Sequence, residues 1–289
     1  MPWNPFGKKR DEFEELFREA CRRLKVEVVK WTSLIAVVKV RGETVDVNLA
    51  NLRARTALQE AQAQATYLES SLGILFKGPT PETKDVTGAH ERVLPRLLAS
   101  EFAQGERLPS RPFIQGIVDV GLMVDEGQRG FFVDDERLRM WNEKFDPLYS
   151  RAIENLRKRS PPDIWKSFPQ LPGLLCYGDP PDAYGSSRAL ILRELLDPWP
   201  PAGVVTWLPA RDFLMCIRID NASSLSLVPR GAAFAKSVHD AEGYQITDRP
   251  LWFDGERWEP ATLEGIGGRL GMRPGPRFRE RIRELGFVP

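Results

Sequence analysis

Apolar positions in the N-terminal part of the chain recur first at helical and then at strand spacing. Over residues 11–24 they return every three or four positions, which predicts an amphipathic helix. Three short segments rich in β-branched residues, at 26–30, 34–40 and 43–47, then predict a small antiparallel meander. A run of strong helix formers over 49–72 predicts one long helix after the meander.

Beyond a candidate linker, Gly78-Pro79-Thr80-Pro81, helices and strands are interleaved without a regular order. The pattern predicts helices at 93–102, 134–141, 146–159, 186–196 and 232–239. It predicts strands at 113–125, 130–133 and 174–177, a long hairpin of strands 204–209 and 213–219, and a last strand pair within 245–258. An ordered proline-rich loop is predicted at 161–172. Because the strands are expected to be mainly antiparallel and there is no regular βαβ alternation, the predicted fold class is α+β without a Rossmann-like pattern.

These segments predict three regions. Residues 1–78 form an N-terminal helix–meander–helix region, and residues 90–260 form the main α+β domain. Residues 261–289 are rich in arginine and are expected to form a helical C-terminal extension.

The charges of the chain are balanced, with 41 basic and 40 acidic residues and a formal net charge of +1. Such a balance supplies no overall field that would attract nucleic acid or an anionic membrane. Any charged partner must therefore be bound by a local patch.

The cysteines and histidines favour neither a disulfide framework nor a metal site. Cys21, Cys176 and Cys216 have no short spacing between them, which is typical of free thiols in a reducing compartment. Only His90 and His239 are present, and neither has a carboxylate or cysteine at ligand spacing. No glycine-rich cofactor motif follows a predicted strand, so no cofactor is predicted.

The location predicted from the sequence is cytoplasmic. The N-terminal segment lacks the apolar core of a signal peptide. The longest aliphatic run, 34–38, is far shorter than the roughly 18 to 20 residues that a membrane span needs. No membrane partner is therefore predicted.

Several blocks in the main domain occur in a characteristic order. They are 119–141, 149–156, 182–190 with Ser187-Arg188, Pro209-Ala210-Arg211-Asp212-Phe213-Leu214, Ile246-Thr247-Asp248 and Phe253-Asp254-Gly255. In this order, over 94–260, the chain resembles the YtpQ-like bacterial family, which has no established activity. The resemblance implies a shared fold and a shared surface. The loop 179–185 departs from the Asp-Gly-Tyr-Asp-Ala order that is usual in that family.

A first polar corner, at the predicted start of a helix, contains Asp179, Asp182, Ser187 and Arg188. Free backbone N–H groups and a forked guanidinium in this position can bind an anion. The alternative is structural: Ser187 or its neighbour Ser186 caps the helix, and Arg188 pairs with a nearby aspartate.

A second polar corner, Arg211-Asp212, lies at the turn of the predicted hairpin. Arg211 can anchor an anion and Asp212 can act as a base. Alternatively, Asp212 tightens the turn and Arg211 covers a sheet edge. Tyr184, Trp207 and Trp252 either line a pocket beside the corners or pack in the core.

The C-terminal extension supplies the candidates for nucleic-acid contact, Arg273, Arg277, Arg279, Arg281 and Arg283. Phe278, Ile282 and Leu285 share one face of the same helix. The alternative is therefore a helix that packs on the body while its arginines extend into solvent.

The leading functional prediction is a non-enzymatic binding or adaptor module for an unknown protein or a small anionic ligand. One alternative is a hydrolase or transferase that acts on an anionic substrate through Asp182 or Asp212 with Arg188 and Arg211. A further alternative is nucleic-acid binding by the C-terminal arginines. The first two predictions require the two polar corners to meet in space.

Overall fold

The computed structural model describes residues 12–31, 35–40, 42–57, 59–76, 86–126, 130–162, 165–168, 171–177, 182–242, 244–266 and 269–287. The chain divides into two compact units, Met1–Pro79 and Thr80–Pro289. The arginine-rich residues 261–289 belong to the second unit. The predicted linker 78–81 lies outside the described residues.

The first unit is an antiparallel meander with three helices. Its elements in chain order are α1 (Glu12–Arg23), β1 (Glu27–Trp31), β2 (Ile35–Val40), β3 (Glu43–Asn48), α2 (Leu49–Ala57) and α3 (Gln64–Leu75). β2 pairs with β1 on one side and β3 on the other, which confirms the predicted meander. Phe17 of α1 and Leu72 of α3 are fully buried in the core of this unit.

The single long helix predicted over 49–72 is wrong, because the chain forms α2 and α3 with turns between them. Leu49 and Leu72 belong to the same buried cluster. A straight helix over these residues would be about 36 Å long, at 1.5 Å per residue, which is nearly twice the length of the five- and six-residue strands beside it. The helix propensity of residues 49–72 favours one continuous helix, but the chain breaks between α2 and α3 and buries both Leu49 and Leu72.

In its described residues the second unit contains a six-stranded sheet, a four-stranded sheet and a two-stranded hairpin, with helices between and around their strands. Its helices are α4 (Val86–Arg92), α5 (Ser100–Gly105), α6 (Asp135–Met140), α7 (Phe145–Lys158), a 3₁₀ helix (Ser186–Ile191), α8 (Leu192–Leu195), α9 (Ala222–Leu225), α10 (Val228–Ala241) and α11 (Pro276–Glu284). Its strands are β4 (Val93–Ala99), β5 (Arg111–Ile114), β6 (Val118–Asp125), β7 (Gly130–Phe132), β8 (Trp165–Phe168), β9 (Leu171–Tyr177), β10 (Val204–Ala210), β11 (Leu214–Arg218), β12 (Gln245–Phe253), β13 (Trp258–Pro260), β14 (Thr262–Ile266) and β15 (Arg269–Arg273).

The larger sheet has six strands in the order β13-β12-β10-β11-β9-β8, and every pairing in it is antiparallel. β6 organises the smaller sheet, since it pairs with β4, β5 and β7, again antiparallel. β14 and β15 form a separate hairpin. Helices interleaved with antiparallel sheets confirm the predicted α+β class, and no Rossmann pattern is found in the described part of the chain.

β10 lies at the centre of the second unit, because side chains on both of its faces are buried. Val204 and Leu208 pack with residues of β4 and β6 in one core cluster. Val205 and Trp207 point to the opposite face, where α10 and α11 pack. The strand therefore has no solvent-exposed face, as its continuous apolar sequence indicates.

The helix predicted over 93–102 is wrong, because Val93–Ala99 is strand β4 and α5 begins only at Ser100. β4 pairs with β6 along its whole length, and it is an edge strand, where Pro95 is tolerated. A short apolar run that is buried on both faces carries no period that distinguishes a strand from a helix.

Two loop and turn predictions are also wrong. The predicted loop 161–172 contains strand β8, which pairs with β9 because Trp165 packs edge-on against Tyr177, with ring centres 5.1 Å apart. The predicted strand 113–125 is a hairpin of β5 and β6, whose turn includes Gly116 in the left-handed region at φ +68°.

Candidate functional site: two polar corners and a pocket beside α11

The two polar corners meet at the start of the 3₁₀ helix. The backbone N–H and the hydroxyl of Ser186 both donate to the carbonyl oxygen of Arg211, at 3.0 and 2.9 Å. Gly185 packs directly on the Asp212 backbone, where a Cβ atom would lie 2.5 Å from the carbonyl carbon. Asp179, which was predicted to join the first corner, lies outside the described residues.

Arg188 is held on all sides by groups of the chain. Its Nη1 and Nη2 donate to the two carboxylate oxygens of Asp182, at 2.7 and 2.5 Å. Its Nε donates to Ser160 Oγ, and Nη2 donates also to the Arg159 carbonyl oxygen. The guanidinium carbon lies 4.9 Å from the centre of the Tyr177 ring. Only 3% of the Arg188 side chain is exposed, so this guanidinium has a structural role: it connects Asp182 to the residues that follow α7.

Asp182 is the more exposed partner of this ion pair, with 38% of its side chain accessible. Burial raises the pKa of its carboxyl, but the hydrogen bonds and charge of Arg188 and the N–H of Tyr184 outweigh burial. The resulting pKa is below the ordinary value. A carboxylate held in its ionised form by an arginine is a poor proton carrier near neutral pH.

The serines of the first corner do not cap the helix. The 3₁₀ helix has no side-chain cap. Ser186 bonds Arg211 instead, and the Ser187 hydroxyl accepts the N–H of Leu97 on β4. The predicted serine cap is therefore wrong, because both hydroxyls are used to join the helix to neighbouring segments.

The second corner is an arginine between a carboxylate and an aromatic ring. Arg211 donates from Nε to Asp212 Oδ1 at 3.0 Å, and its guanidinium carbon lies 4.0 Å from the centre of the Tyr244 ring. Both charged side chains are largely buried, with 17% and 12% exposed. The geometry fixes the hairpin turn against Tyr244.

Arg96 lies between the two corners and was not among the predicted site residues. Its Nη1 donates to the carbonyl oxygen of Ala183, and its guanidinium carbon lies 4.3 Å from the centre of the Tyr184 ring. Its Nε has no hydrogen-bond partner among the described residues. Burial lowers the pKa of Arg96 and raises that of Tyr184 to about 12.

The sequence carried one signal for Arg96, a single charge inside the apolar run 93–99. Such a charge is seldom buried without partners. The helix predicted for this run gave Arg96 no particular role, whereas β4 buries it beside Ala183 and Tyr184 of the first corner.

The predicted aromatic candidates do not share one pocket. Tyr184 is buried beside Arg96, and Trp207 is buried on the opposite face of the six-stranded sheet, against Gly231 of α10. Trp252 stacks on Phe278 of α11, with ring centres 4.9 Å apart.

Helix α11 is fixed to the body of the second unit. Phe278 and Ile282 are buried on the sheet, as the alternative for the C-terminal extension stated. The Glu259 carboxylate accepts the N–H groups of Arg277 and Phe278 at the start of the helix, where it compensates the helix dipole.

Four of the five candidate arginines of the extension contact the chain itself. Arg273 pairs with Glu264, and Arg279 donates to the Pro274 carbonyl oxygen. Arg277 pairs with Asp254, and Arg281 donates to the Pro201 carbonyl oxygen. Arg283 is exposed.

A pocket of about 460 Å³, here called the α11 pocket, lies between α11, the segment 199–203 and the turn 254–256. Its aromatic and acidic lining residues are Trp199, Trp252, Asp254, Glu256, Glu280 and Glu284. Arg277 and Arg281 also line it. Arg277 pairs with Asp254, and Arg281 donates from Nε and Nη2 to the Pro201 carbonyl oxygen at 3.0 and 2.8 Å.

Metal and thiol chemistry find little support in the described residues. Within them, no group of three or more His, Cys, Asp or Glu side chains is placed to hold a metal ion. Burial raises the pKa of Cys21 and of Cys176 to about 12, and raises that of Cys216 as well. A neutral, buried thiol is a weak nucleophile.

Comparison of the chain with known protein families, curated proteins and solved structures finds no match to any of them. The resemblance to the YtpQ-like family therefore stays a prediction. None of the helices in the described ranges has the length and apolar content to cross a bilayer.

Proposed function

We propose that this chain is a non-enzymatic binding protein whose small ligand occupies the α11 pocket. The volume of about 460 Å³ lies within the range of roughly 300 to 1,000 Å³ that is typical of small-molecule sites. Trp199 and Trp252 contribute aromatic surface, and half of the lining residues are charged, so the pocket is suited to a polar or charged ligand.

One observation carries the proposal: three segments distant in sequence are tied around an open volume. Trp252 Nε1 donates to the Ala202 carbonyl oxygen at 2.7 Å, and Trp199 Nε1 donates to the Asp254 carbonyl oxygen at 3.0 Å. Arg281 ties α11 to Pro201. A site whose walls are already fixed loses little entropy when its ligand binds.

The polar corners act as a scaffold in this proposal. Arg188 and Asp182 are paired with each other, and the Ser186 hydroxyl is bonded to the Arg211 carbonyl oxygen. The predicted acid–base enzyme and the predicted nucleic-acid contact stay predictions; the pairing of these groups and the packing of α11 weigh against them. A cytoplasmic location is part of the proposal, since the free cysteines favour a reducing compartment.

A fragment screen by nuclear magnetic resonance tests the proposal. The chain has eight tryptophans, and each gives an indole N–H signal. We expect fragments to shift the signals of Trp199 and Trp252. The variant Glu280→Phe, at an exposed lining position, fills the pocket and should abolish these shifts.

The matched control is Arg283→Phe, on the same helix but outside the pocket lining. It should leave the fragment-induced shifts intact. The proposal fails if no fragment shifts the two indole signals, or if Glu280→Phe leaves these shifts unchanged.

A further inference from the structure

The hydrogen-bond donors around the α11 pocket are already in use. Both indole N–H groups donate to backbone carbonyl oxygens of the chain. The backbone N–H of Ala202 donates to Ile219, and that of Gly203 donates to Pro200. Pro200 and Pro201 have no backbone N–H to offer. The walls therefore present few donors to a ligand.

The arginines of the pocket are also engaged. Arg277 pairs with Asp254, and Arg281 bonds the Pro201 carbonyl oxygen and lies 3.3 Å from the Glu284 carboxylate. Two of the four carboxylates in the lining are thus compensated by the chain itself.

The remaining two carboxylates, Glu256 and Glu280, are uncompensated. Neither forms an ion pair with any residue of the described ranges. Both side chains belong to exposed residues at the pocket, one on the turn 254–256 and one on α11. The carboxylates left for a ligand therefore come from two different segments of the pocket lining.

The chain already places guanidinium groups on the aromatic walls of this region. The Arg277 guanidinium carbon lies 5.6 Å from the centre of the Trp252 ring, and that of Arg193 lies 5.0 Å from the centre of the Trp199 ring. Indole rings attract cations at such distances. Guanidinium groups of the chain thus already occupy these indole faces, so a ligand cation is bound by the carboxylates of the pocket and not by a cation–π contact.

We propose that the ligand of the α11 pocket is a small organic cation that carries a guanidinium or primary ammonium group. This inference rests on the proposed function and names the class of ligand. Glu256 and Glu280 accept hydrogen bonds from the cationic group, and the half-buried Trp199 covers its apolar part. An anionic ligand would meet the two carboxylates that carry no ion pair, whereas Arg277 and Arg281 are each already bound to groups of the chain.

Titration with matched probes tests the inference. Phenylguanidine is a cation at neutral pH, phenylurea is a neutral compound of nearly the same shape, and benzoate is an anion. We expect phenylguanidine to shift the indole signals of Trp199 and Trp252 at concentrations several-fold below those required for phenylurea. Benzoate should leave both signals in place.

A double variant, Glu256→Gln with Glu280→Gln, separates charge from shape. It should weaken phenylguanidine binding by about threefold to tenfold, the range for two solvent-exposed ion pairs, and leave phenylurea binding unchanged. Glu106→Gln, at an exposed position outside the pocket lining, is the control and should have no effect.

Two results would overturn the inference in distinguishable ways. If phenylurea or benzoate binds in the pocket as tightly as phenylguanidine, the ligand class is wrong and the proposed function stands. If none of the three probes shifts the two indole signals, and the fragment screen finds no binder there either, both proposals fail.

Discussion

Arg188 and Asp182 form a two-point ion pair in which the arginine is almost fully buried and the aspartate faces solvent. The same guanidinium bonds Ser160 and the Arg159 carbonyl oxygen at the end of α7. The Arg188 side chain thus connects the loop of the first polar corner to the C-terminal end of α7. This arrangement corresponds to the local pairing that the sequence left open as the alternative to an anion site.

Replacing Arg188 should therefore destabilise the fold. We expect Arg188→Met to lower the free energy of unfolding by about 3 kcal/mol, because it leaves buried acceptors without donors. Urea denaturation measures the change. Arg283→Met, at an exposed position, should stay within about 0.5 kcal/mol of the unchanged protein. Equal stability of the two variants would show that the hydrogen bonds of Arg188 do not stabilise the fold.

The same ion pair predicts a dependence of stability on acid pH. The pKa of the Asp182 carboxyl in the folded state is lower than the ordinary value of 3.8, because Arg188 outweighs the effect of burial. The stabilisation is therefore complete above about pH 3.8 and is lost as the pH falls through the folded-state pKa. As the pH falls from about 3.8 through the folded-state pKa, Asp182→Asn should lose less stability than the natural chain. Parallel curves for the two proteins would contradict this.

Contact between the two corners predicts a strict requirement for glycine at position 185. Its backbone is helical, with φ −49°, so the constraint is steric and not conformational. The added methyl group of Gly185→Ala would collide with the Asp212 carbonyl, and we expect a loss of about 2 kcal/mol or more.

Gly105→Ala is the matched control for Gly185→Ala. A methyl group at Gly105 meets no atom within 4 Å, and the residue is helical. This variant should be neutral or gain up to about 1 kcal/mol. Thermal unfolding compares the two directly, and equal midpoints would refute the close approach of the corners.

The sequence predicted the α+β class and most elements because their apolar periods were distinct. The prediction failed for β4, because a strand that is buried on both faces has no alternation of apolar and polar residues. It failed also between α2 and α3, where a segment of strong helix formers is broken so that both of its ends are buried. The β propensity of a short segment does not indicate which distant strand it pairs with. β8 was missed for this reason, since it is specified by its pairing with β9.

The site was predicted less completely than the fold. The sequence identified Arg188, Arg211 and Asp212 as a polar region and required the corners to meet, which they do. It left open whether Arg188 pairs with a nearby aspartate or binds an anion, since pairing depends on side-chain placement. The α11 pocket was missed because its lining comes from segments up to 85 residues apart, from Trp199 to Glu284.

Buried cysteines predict slow reaction with thiol reagents. The pKa of Cys176 is raised to about 12 by burial, so almost none of it is thiolate at pH 8. Cys21 and Cys216 are fully buried and their pKa values are raised as well. Ellman's reagent should therefore label none of the three thiols within minutes in the native protein and all three after denaturation. Rapid labelling of one native thiol would contradict the structure.

The most direct test of the central claim is a crystal structure of the chain grown with phenylguanidine. We expect the guanidinium group to lie at about 3 Å from carboxylate oxygen atoms of Glu256 and Glu280, with the phenyl ring against Trp199. Phenylguanidine bound elsewhere, or an α11 pocket that excludes it at saturating concentration, would contradict a cation site in this pocket.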